Sequence, residues 1–200
     1  SISCEQLELL YPLHVESMEI EPDSMGFGTS NGGPGIRFSV RPVAGPVECI
    51  TFGDGCDNPP HGVLGGTPGI GGGQYAEDIE TGARRFVSSA GFFVVEESER
   101  RVGVSSGGGG YGPPWERDPE LVRRDVRDGF VTRETAESVF GVSLTGDFDP
   151  SIDAEETARL RTILAQTEIS VVTPSAPASA TWLRDAMRPE DVYLLNPTGS

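Results

Sequence analysis

The chain has 200 residues, of which 36% are hydrophobic, 27 are glycine and 16 are proline. This size suits one domain or one domain with a tail, and this composition favours short strands and tight turns over a helical bundle. The formal net charge of −16 argues against binding to nucleic acid or to anionic membrane surfaces. All 15 basic residues are arginine, which excludes a Walker-type phosphate loop and a lysine nucleophile or base in this chain.

Nothing in the sequence predicts a membrane span or an export signal. No apolar run approaches the roughly 18–20 residues that cross a bilayer, and the start of the chain lacks the basic residues and cleavage site of a signal peptide. Cys4, Cys49 and Cys56 cannot all pair, so we expect reduced thiols and a cytoplasmic protein. Because the sequence does not begin with methionine, we expect a processed subunit or a piece of a longer chain.

The first half of the chain predicts short strands. Residues 7–20 alternate apolar and polar positions, which is typical of one half-buried strand. Further strands are predicted at residues 36–40, 47–52, 91–96 and 101–105. The glycine- and proline-rich stretch at 58–73 predicts a loop. A second glycine-rich loop precedes residue 36, and it is either a close-packed interface element or a loop facing substrate.

Helical periodicity begins after residue 116. Asp118 as N-cap and Gly129 as terminator predict a first helix, and Thr132 and Gly141 bracket a second. Residues 151–166 predict a third helix, again with an apolar stripe.

These elements predict an α+β fold with three parts. Residues 1–115 form a β-rich domain with glycine loops, and residues 116–168 form a small helical cap. Residues 169–200 are a linker and a flexible C-terminal tail, because they are small, polar and rich in proline.

Residues 107–112 read Gly-Gly-Gly-Gly-Tyr-Gly and lie between a predicted strand and a predicted helix. Many proteins hold phosphate at such a place, with converging backbone amides and a lysine or a metal-binding hydroxyl. Here no Gly-Lys-Ser/Thr follows, and Pro113 and Pro114 lack the amide donors of a helix start. The sequence favours a structural corner, in which glycines adopt positive φ and let another segment approach closely.

A few side chains in or near the loops are candidates for chemistry. Cys56, Asp57 and His61 lie close in sequence, but their spacing matches no standard zinc arrangement, and we predict no metal. His61 lies in a glycine- and proline-rich loop, and Tyr111 is the reactive side chain of the glycine corner, so these two are the catalytic candidates. His14, between apolar positions, is more typical of a structural or interface histidine.

Three motifs, in this order and spacing, resemble a known family. They are YPLHVESMEIEPDSMGFGTSNGGPGIR, PPHGVLGGTPG and GGGGYGPPWERDPELVRRDVRDGFVTRETAESVFGV. Over about residues 5–147 the chain resembles the C-terminal part of the hydantoinase B/oxoprolinase family, which includes N-methylhydantoinase, oxoprolinase, caprolactamase and acetone and acetophenone carboxylase subunits. The resemblance implies scaffold roles for Asp23, Gly32, Gly33, Gly65, Gly66, Gly107, Gly108, Gly109, Gly110, Gly112, Arg117 and Asp118.

The chain departs from the family pattern at charged positions. Pro113 and Pro114 follow Gly112 where the family usually has Gly-Asp-Pro after the tyrosine. Asn31 stands where the family commonly has arginine, and the lysine often found before the last strands is absent. The scaffold glycines are kept.

B-type subunits of this family are several times longer than this chain. The resemblance implies an ATP-dependent complex, in which an A-type subunit of actin-like ATPase fold holds ATP and Mg and phosphorylates a small-molecule substrate. The B-type part then opens a cyclic amide or carboxylates a ketone enolate. This chain would hold no cofactor, would be inactive alone, and would line the active site against the A-type subunit and the main body of a B-type subunit. The alternative is a non-catalytic assembly module that bridges the larger subunits.

Overall fold

A computed structural model describes residues 3–56, 58–87 and 90–166. These residues form an α+β fold, as predicted. Its helices and strands are, in chain order, α1 (Cys4–Leu10), β1 (Leu13–Ile20), β2 (Ile36–Pro42), β3 (Val47–Phe52), β4 (Gly73–Asp78), β5 (Arg84–Phe86), β6 (Ala90–Val95), β7 (Glu99–Val104), α2 (Pro119–Arg127), α3 (Arg133–Ser138), β8 (Leu144–Thr145), β9 (Ser151–Ile152) and α4 (Ala154–Gln166).

The strands form one larger antiparallel sheet and a separate two-stranded ribbon. The sheet has the order β1-β2-β7-β4-β5, while β3 pairs with β6 in what we call the β3–β6 ribbon, and β8 pairs with β9. Phe93 of the ribbon lies over Arg101 of β7, with the guanidinium carbon 5.4 Å from the ring centroid. The inner face of the ribbon therefore packs on the larger sheet.

The start of the chain corrects the strand predicted over residues 7–20. Only its second part is strand β1, and α1 precedes it. The helix begins with a capping box, in which the Ser3 hydroxyl accepts from the Gln6 amide and the Gln6 side chain accepts from the Ser3 amide. This capping box satisfies backbone groups at the start of the helix. It therefore favours a helix here, although the leucines alternate with polar residues as in a strand.

Strands β4 and β5 are missing from the sequence prediction, whereas β2, β3, β6 and β7 were predicted to within two residues at each end. In the structure β4 lies inside the sheet between β7 and β5, with Tyr75 and Ala76 buried. Both strands are short, and they flank a turn at Gly82, where φ is +69°. Tyr75 and Ala76 are the only apolar residues of β4 and are adjacent rather than alternating, and β5 has only three residues, so neither run has the alternation that predicts a strand.

The three predicted helices of the cap are present, and α2 and α3 begin directly after the predicted caps. Helix α3 ends at Ser138, three residues before Gly141. The prediction of helix from residue 151 is wrong, because Ser151–Ile152 pair with β8 as β9 and α4 begins at Ala154. Asp118 caps α2 by accepting from the Glu120 amide at 2.9 Å, and Thr132 caps α3 by accepting from the Thr135 amide at 3.2 Å. Gly129 follows α2 with a φ of +79°. Among the described residues, no helix is long and apolar enough to cross a membrane.

The helices share their hydrophobic core with the first glycine-rich loop. Met25 and Phe27 from this loop are buried together with Val122 of α2 and with Phe140, and the rings of Phe27 and Phe140 meet edge-on with centroids 5.4 Å apart. The division at residues 115 and 168 stays a prediction. The predicted tail at 169–200 lies outside the described residues.

Candidate functional site

Three glycine-rich segments lie side by side where the sheet meets the helices. We call them together the glycine bundle and define it as residues 24–35, 60–72 and 107–112. Backbone hydrogen bonds join the segments: the Gly26 amide donates to the Gly108 carbonyl at 2.7 Å, and the Thr67 amide donates to the Phe27 carbonyl at 2.8 Å. The Gly110 amide in turn donates to the Thr67 carbonyl at 2.9 Å. Each segment thus forms backbone hydrogen bonds with the other two segments.

Backbone atoms of the other two segments lie close to each of the four consecutive glycines. An added Cβ would lie 1.8 Å from the Ser24 carbonyl oxygen at Gly107, 2.9 Å from the Gly33 nitrogen at Gly108, 2.0 Å from the His61 oxygen at Gly109 and 2.1 Å from the Phe27 oxygen at Gly110. Gly107, Gly108 and Gly110 thus face the first segment and Gly109 faces the second. The expected close approach is therefore observed. The expected positive φ is not found in these four glycines but at Gly112, where φ is +75°.

The hydrogen bonds of the third segment also bear on the phosphate-loop interpretation. The amide of Gly108 donates to Gly33 at 2.8 Å and that of Tyr111 to Ser30 at 2.9 Å, while Gly112 donates to Val63 at 2.9 Å. Amides that already donate to neighbouring carbonyls do not point at a ligand. The geometry agrees with a structural corner.

The catalytic candidates His61 and Tyr111 lie on adjacent segments at the exposed side of the bundle. Val63, two residues after His61, forms a parallel bridge with Tyr111, and both candidate residues are exposed to solvent. The next residue, Leu64, is an exposed apolar side chain with a φ of +51°. A left-handed conformation is costly for leucine, and such strain is concentrated at functional sites.

The scaffold positions Asp23 and Arg117 connect the bundle to the helices. Asp23 accepts from the backbone and hydroxyl of Thr132. Arg117 donates to Asp125 of α2 at 2.9 Å and to the Thr29 carbonyl at 3.0 Å. These contacts position the cap on the first glycine segment.

A cleft of about 380 Å³ lies beside this connection, between the first glycine segment and α2. Asn31 lines it and donates from its side chain to Asp125 Oδ2 at 3.2 Å, while its own Oδ1 accepts from the Gly28 amide at 3.1 Å. The sequence identified Asn31 only as a departure from the family pattern and did not indicate Asp125, because their contact joins positions 94 residues apart.

The metal hypothesis gains no support from the described residues. Within residues 3–56, 58–87 and 90–166, no three His, Cys, Asp or Glu side chains are placed to hold a metal ion. Asp57, a member of the suggested set, lies outside these residues. His14 is on the surface, with Nδ1 2.8 Å from Glu8 Oε1.

A second cavity, of about 220 Å³, lies between the β3–β6 ribbon and the larger sheet. Arg101 of β7 lines it, together with Gln74, Thr51 and Cys56. This site was not identified from the sequence, although the sequence indicates one of its residues. Arg100 and Arg101 are consecutive in a strand, so their side chains must point to opposite faces of the sheet and one of them must face inward.

Together these features define an α+β module in which a glycine bundle joins a β-rich body to a helical cap. The family model of hydantoinase B/oxoprolinase matches residues 1–114. The chain belongs to this family, which confirms the resemblance inferred from its motifs.

Individual relatives agree with the family assignment. The caprolactamase subunit beta of Pseudomonas jessenii is 30% identical over 148 residues, which are 72% of this chain and 25% of that protein. A crystal structure of the ATP-dependent caprolactamase from Pseudomonas jessenii is 26% identical, with a TM-score of 0.61, over 80% of this chain and 28% of that one. A nucleotide-free acetone carboxylase structure shares the fold, with 22% identity and a TM-score of 0.65 over 92% of this chain and 28% of that one. The chain spans about a quarter of the length of these relatives.

Proposed function

We propose that this chain is a subunit or C-terminal domain of an ATP-dependent complex. The complex is a hydantoinase/oxoprolinase-type amidohydrolase or a ketone carboxylase. The chain lines part of the active site and part of a subunit interface, and it is inactive alone. An A-type subunit of actin-like fold binds ATP and Mg, and the main body of a B-type subunit completes the site. The names of the relatives, an ATP-dependent caprolactamase and an acetone carboxylase, support this class of reaction.

The observation that carries the interface role is the outer face of the β3–β6 ribbon. Ile50, Phe52, Phe92 and Val94 share this face, because Ile50 pairs directly with Phe92 and side chains alternate along each strand. Phe52 and Phe92 are 77% and 72% exposed. A contiguous exposed apolar surface marks a contact with another protein surface, and the relatives contain several times more chain than is present here.

The active-site role is supported by the exposed side of the glycine bundle. There Leu64 keeps a strained backbone and an exposed apolar side chain beside the candidates His61 and Tyr111. The bundle beneath them is fixed by backbone hydrogen bonds between its segments, which suits a rigid wall. ATP binding by a partner fits the lack of lysine in the sequence and the engaged amides of Gly107, Gly108, Gly110, Tyr111 and Gly112.

Purification of the complex from the native host tests this proposal. We expect the tagged chain to bring down larger A- and B-type subunits, and we expect the assembly to hydrolyse ATP only when a cyclic amide or a ketone is supplied. An isolated 21.2 kDa chain with full activity would refute the proposal.

Variants of the exposed faces separate the two roles. We expect Phe52→Ser with Phe92→Ser to weaken assembly without lowering the melting temperature, because neither side chain is buried in this chain. Phe148→Ser is the matched control, since Phe148 is 97% exposed but lies outside the ribbon. We expect His61→Ala and Tyr111→Ala to reduce turnover in complexes that still assemble.

The alternative, a non-catalytic assembly module, is supported by the loss of charged family positions at Asn31 and at Pro113. Under this alternative, His61→Ala and Tyr111→Ala leave the activity per assembled complex unchanged and only lower the amount of complex. Activity normalised to assembled complex therefore decides between the two.

A further inference from the structure

The cavity between the β3–β6 ribbon and the larger sheet contains a guanidinium with an unusual environment. Arg101 lies between two aromatic rings, with its guanidinium carbon 5.2 Å from the centroid of Phe38 and 5.4 Å from that of Phe93. Its Nε and Nη2 donate to Gln74 Oε1 at 3.0 and 2.6 Å. The Gln74 side chain donates in turn to the Thr51 hydroxyl. Arg101 is thus held in a fixed orientation by two rings and Gln74, and it also interacts with the Cys49 side chain.

Among the side chains that the structure describes, which exclude those of Asp54 and Asp57, no carboxylate lies within salt-bridge distance of Arg101. The neighbouring Arg100 points to the opposite face and meets both Glu16, at 3.2 Å, and Glu77, at 3.7 Å. Burial lowers the pKa of Arg101, because the charged form loses hydration there. A half-buried cation with no carboxylate among its described neighbours is costly, which favours an anion at this place.

The remaining N–H groups of Arg101 belong to a side chain that lines the cavity. Gln74 engages Nε and Nη2, and the Cys49 side chain also interacts with the guanidinium, so further N–H groups of its five remain for a ligand in the cavity that Arg101 lines. Two glycines in the wall of the cavity let its other walls pack closely: a Cβ at Gly103 would lie 2.4 Å from the Phe38 ring, and one at Gly55 would lie 2.5 Å from Ser106 Oγ. The Ser106 hydroxyl lines the same cavity and can donate to an anion.

We propose that this cavity binds a small carboxylate, with the Arg101 guanidinium as its counterion and Ser106 as a further donor. Arginine suits a carboxylate because its planar N–H groups match the two oxygens. The carboxylate belongs either to a free small acid or to an acidic side chain of a partner subunit. The proposal does not depend on the reaction proposed above.

Titration of the full chain with acetate tests the site directly. We expect the Nε–H signal of Arg101, observed by NMR in ¹⁵N-arginine-labelled protein, to shift saturably with sodium acetate, with a Kd on the order of 1–10 mM for so small a ligand. Sodium chloride at equal ionic strength and the uncharged acetamide should not reproduce the shift. A shift that does not saturate, or that chloride or acetamide reproduces, would overturn the proposal.

Two variants locate the binding. Arg101→Gln should weaken acetate binding by roughly tenfold or more. Arg100→Gln, a charge removed from the opposite face of the same strand, should leave it unchanged. Ser106→Ala should weaken binding without filling the cavity, and it provides a second check if Arg101→Gln does not fold. Equal weakening by Arg100→Gln would indicate a general charge effect and count against the site.

The assembled complex distinguishes the two sources of the carboxylate. If the ligand is a free acid, broadening of the ¹³C-acetate signal persists in the wild-type complex and is lost with Arg101→Gln. If a partner subunit supplies the carboxylate, acetate binding is lost on assembly and Arg101→Gln weakens assembly. Loss of acetate binding on assembly together with unweakened assembly of Arg101→Gln would overturn the proposal.

Discussion

Asp23 holds the first turn of α3 through two hydrogen bonds to Thr132. Its Oδ2 accepts from the Thr132 hydroxyl at 2.6 Å, and its Oδ1 accepts from the Thr132 amide at 2.9 Å. Asp23 has a φ of +55°, in the left-handed region that aspartate and asparagine enter more readily than most residues. Because Thr132 is itself the N-cap of α3, one carboxylate fixes the helical cap to the start of the glycine bundle.

Replacement of Asp23 should therefore loosen the cap. We expect Asp23→Ala to lower the free energy of unfolding by about 1–3 kcal/mol, since it removes two charge-assisted hydrogen bonds and places alanine in a left-handed conformation. Asp23→Asn should lose less, because asparagine tolerates this φ and keeps one acceptor. Urea denaturation measures both. The control is Asp147→Ala, at an exposed carboxylate without a described hydrogen bond, and an equal loss there would contradict the assigned role.

The glycine bundle predicts opposite outcomes for two family-motif glycines. At Gly107 an added Cβ would lie 1.8 Å from the Ser24 carbonyl, whereas at Gly33 it would meet no atom within 4 Å. We expect Gly107→Ala to cost about 3 kcal/mol or more, or to prevent folding, because backbone cannot give way. Gly33→Ala should change stability by less than about 1 kcal/mol and can be stabilising, since it restricts the unfolded chain. Denaturant midpoints at equal m-values measure both, and similar midpoints would show that the bundle is looser than described.

Local signals in the sequence were sufficient for some elements and not for others. The caps Asp118 and Thr132 were predicted because a cap acts within its own helix turn, and β3 was predicted to its exact bounds from a short apolar run between turns. The close approach at the four glycines was also predictable from their small size. The partners of these glycines were not, because they come from segments far away along the chain.

Apart from α1, which a local capping box fixes, the features that the sequence did not predict depend on long-range packing. Strand β4 forms because β5 and β7 pair with it on either side, and the pattern of its own six residues does not predict a strand. The contact of Asp23 with Thr132 spans 109 residues, and Arg101 meets Gln74 across 27. Family resemblance identified Asp23 as a scaffold position but did not say what it contacts. The roles of His61 and Tyr111 stay predictions.

The ion pair of Arg117 with Asp125 predicts a measurable contribution to stability. The two side chains are only 12% and 20% exposed, and Arg117 also donates to the Thr29 carbonyl. We expect Arg117→Met to cost roughly 2–4 kcal/mol, because it leaves the Asp125 carboxylate partly buried without its cation. A second change, Asp125→Asn, should restore part of this loss by removing the unpaired charge.

The surface pair of Arg159 with Glu156 is the matched control for this experiment. Its arginine is exposed and lies within a single helix, so Arg159→Met should cause no measurable change in the urea midpoint. Equal effects of Arg117→Met and Arg159→Met would show that the first pair does not hold the cap in place.

Tyr75 predicts how stability depends on alkaline pH. Its side chain is buried in β4, and burial raises the pKa of its phenol above the ordinary value of 10.0, because the phenolate would lose its hydration. Above pH 10 the unfolded chain therefore releases the Tyr75 proton while the folded chain keeps it. The unfolded state then binds fewer protons, so the free energy of unfolding falls as the pH rises through this range.

Tyr75→Phe removes this proton from both states. We expect the stability advantage of wild type over Tyr75→Phe to be constant from pH 6 to 8, where tyrosine does not titrate, and to shrink as the pH rises beyond 10. Urea denaturation of both proteins in matched buffers measures the difference at each pH. Because other titrating groups are common to both proteins, the difference isolates Tyr75. A difference that stays constant up to pH 11.5, or that grows with pH, would show that the phenol is not buried as described.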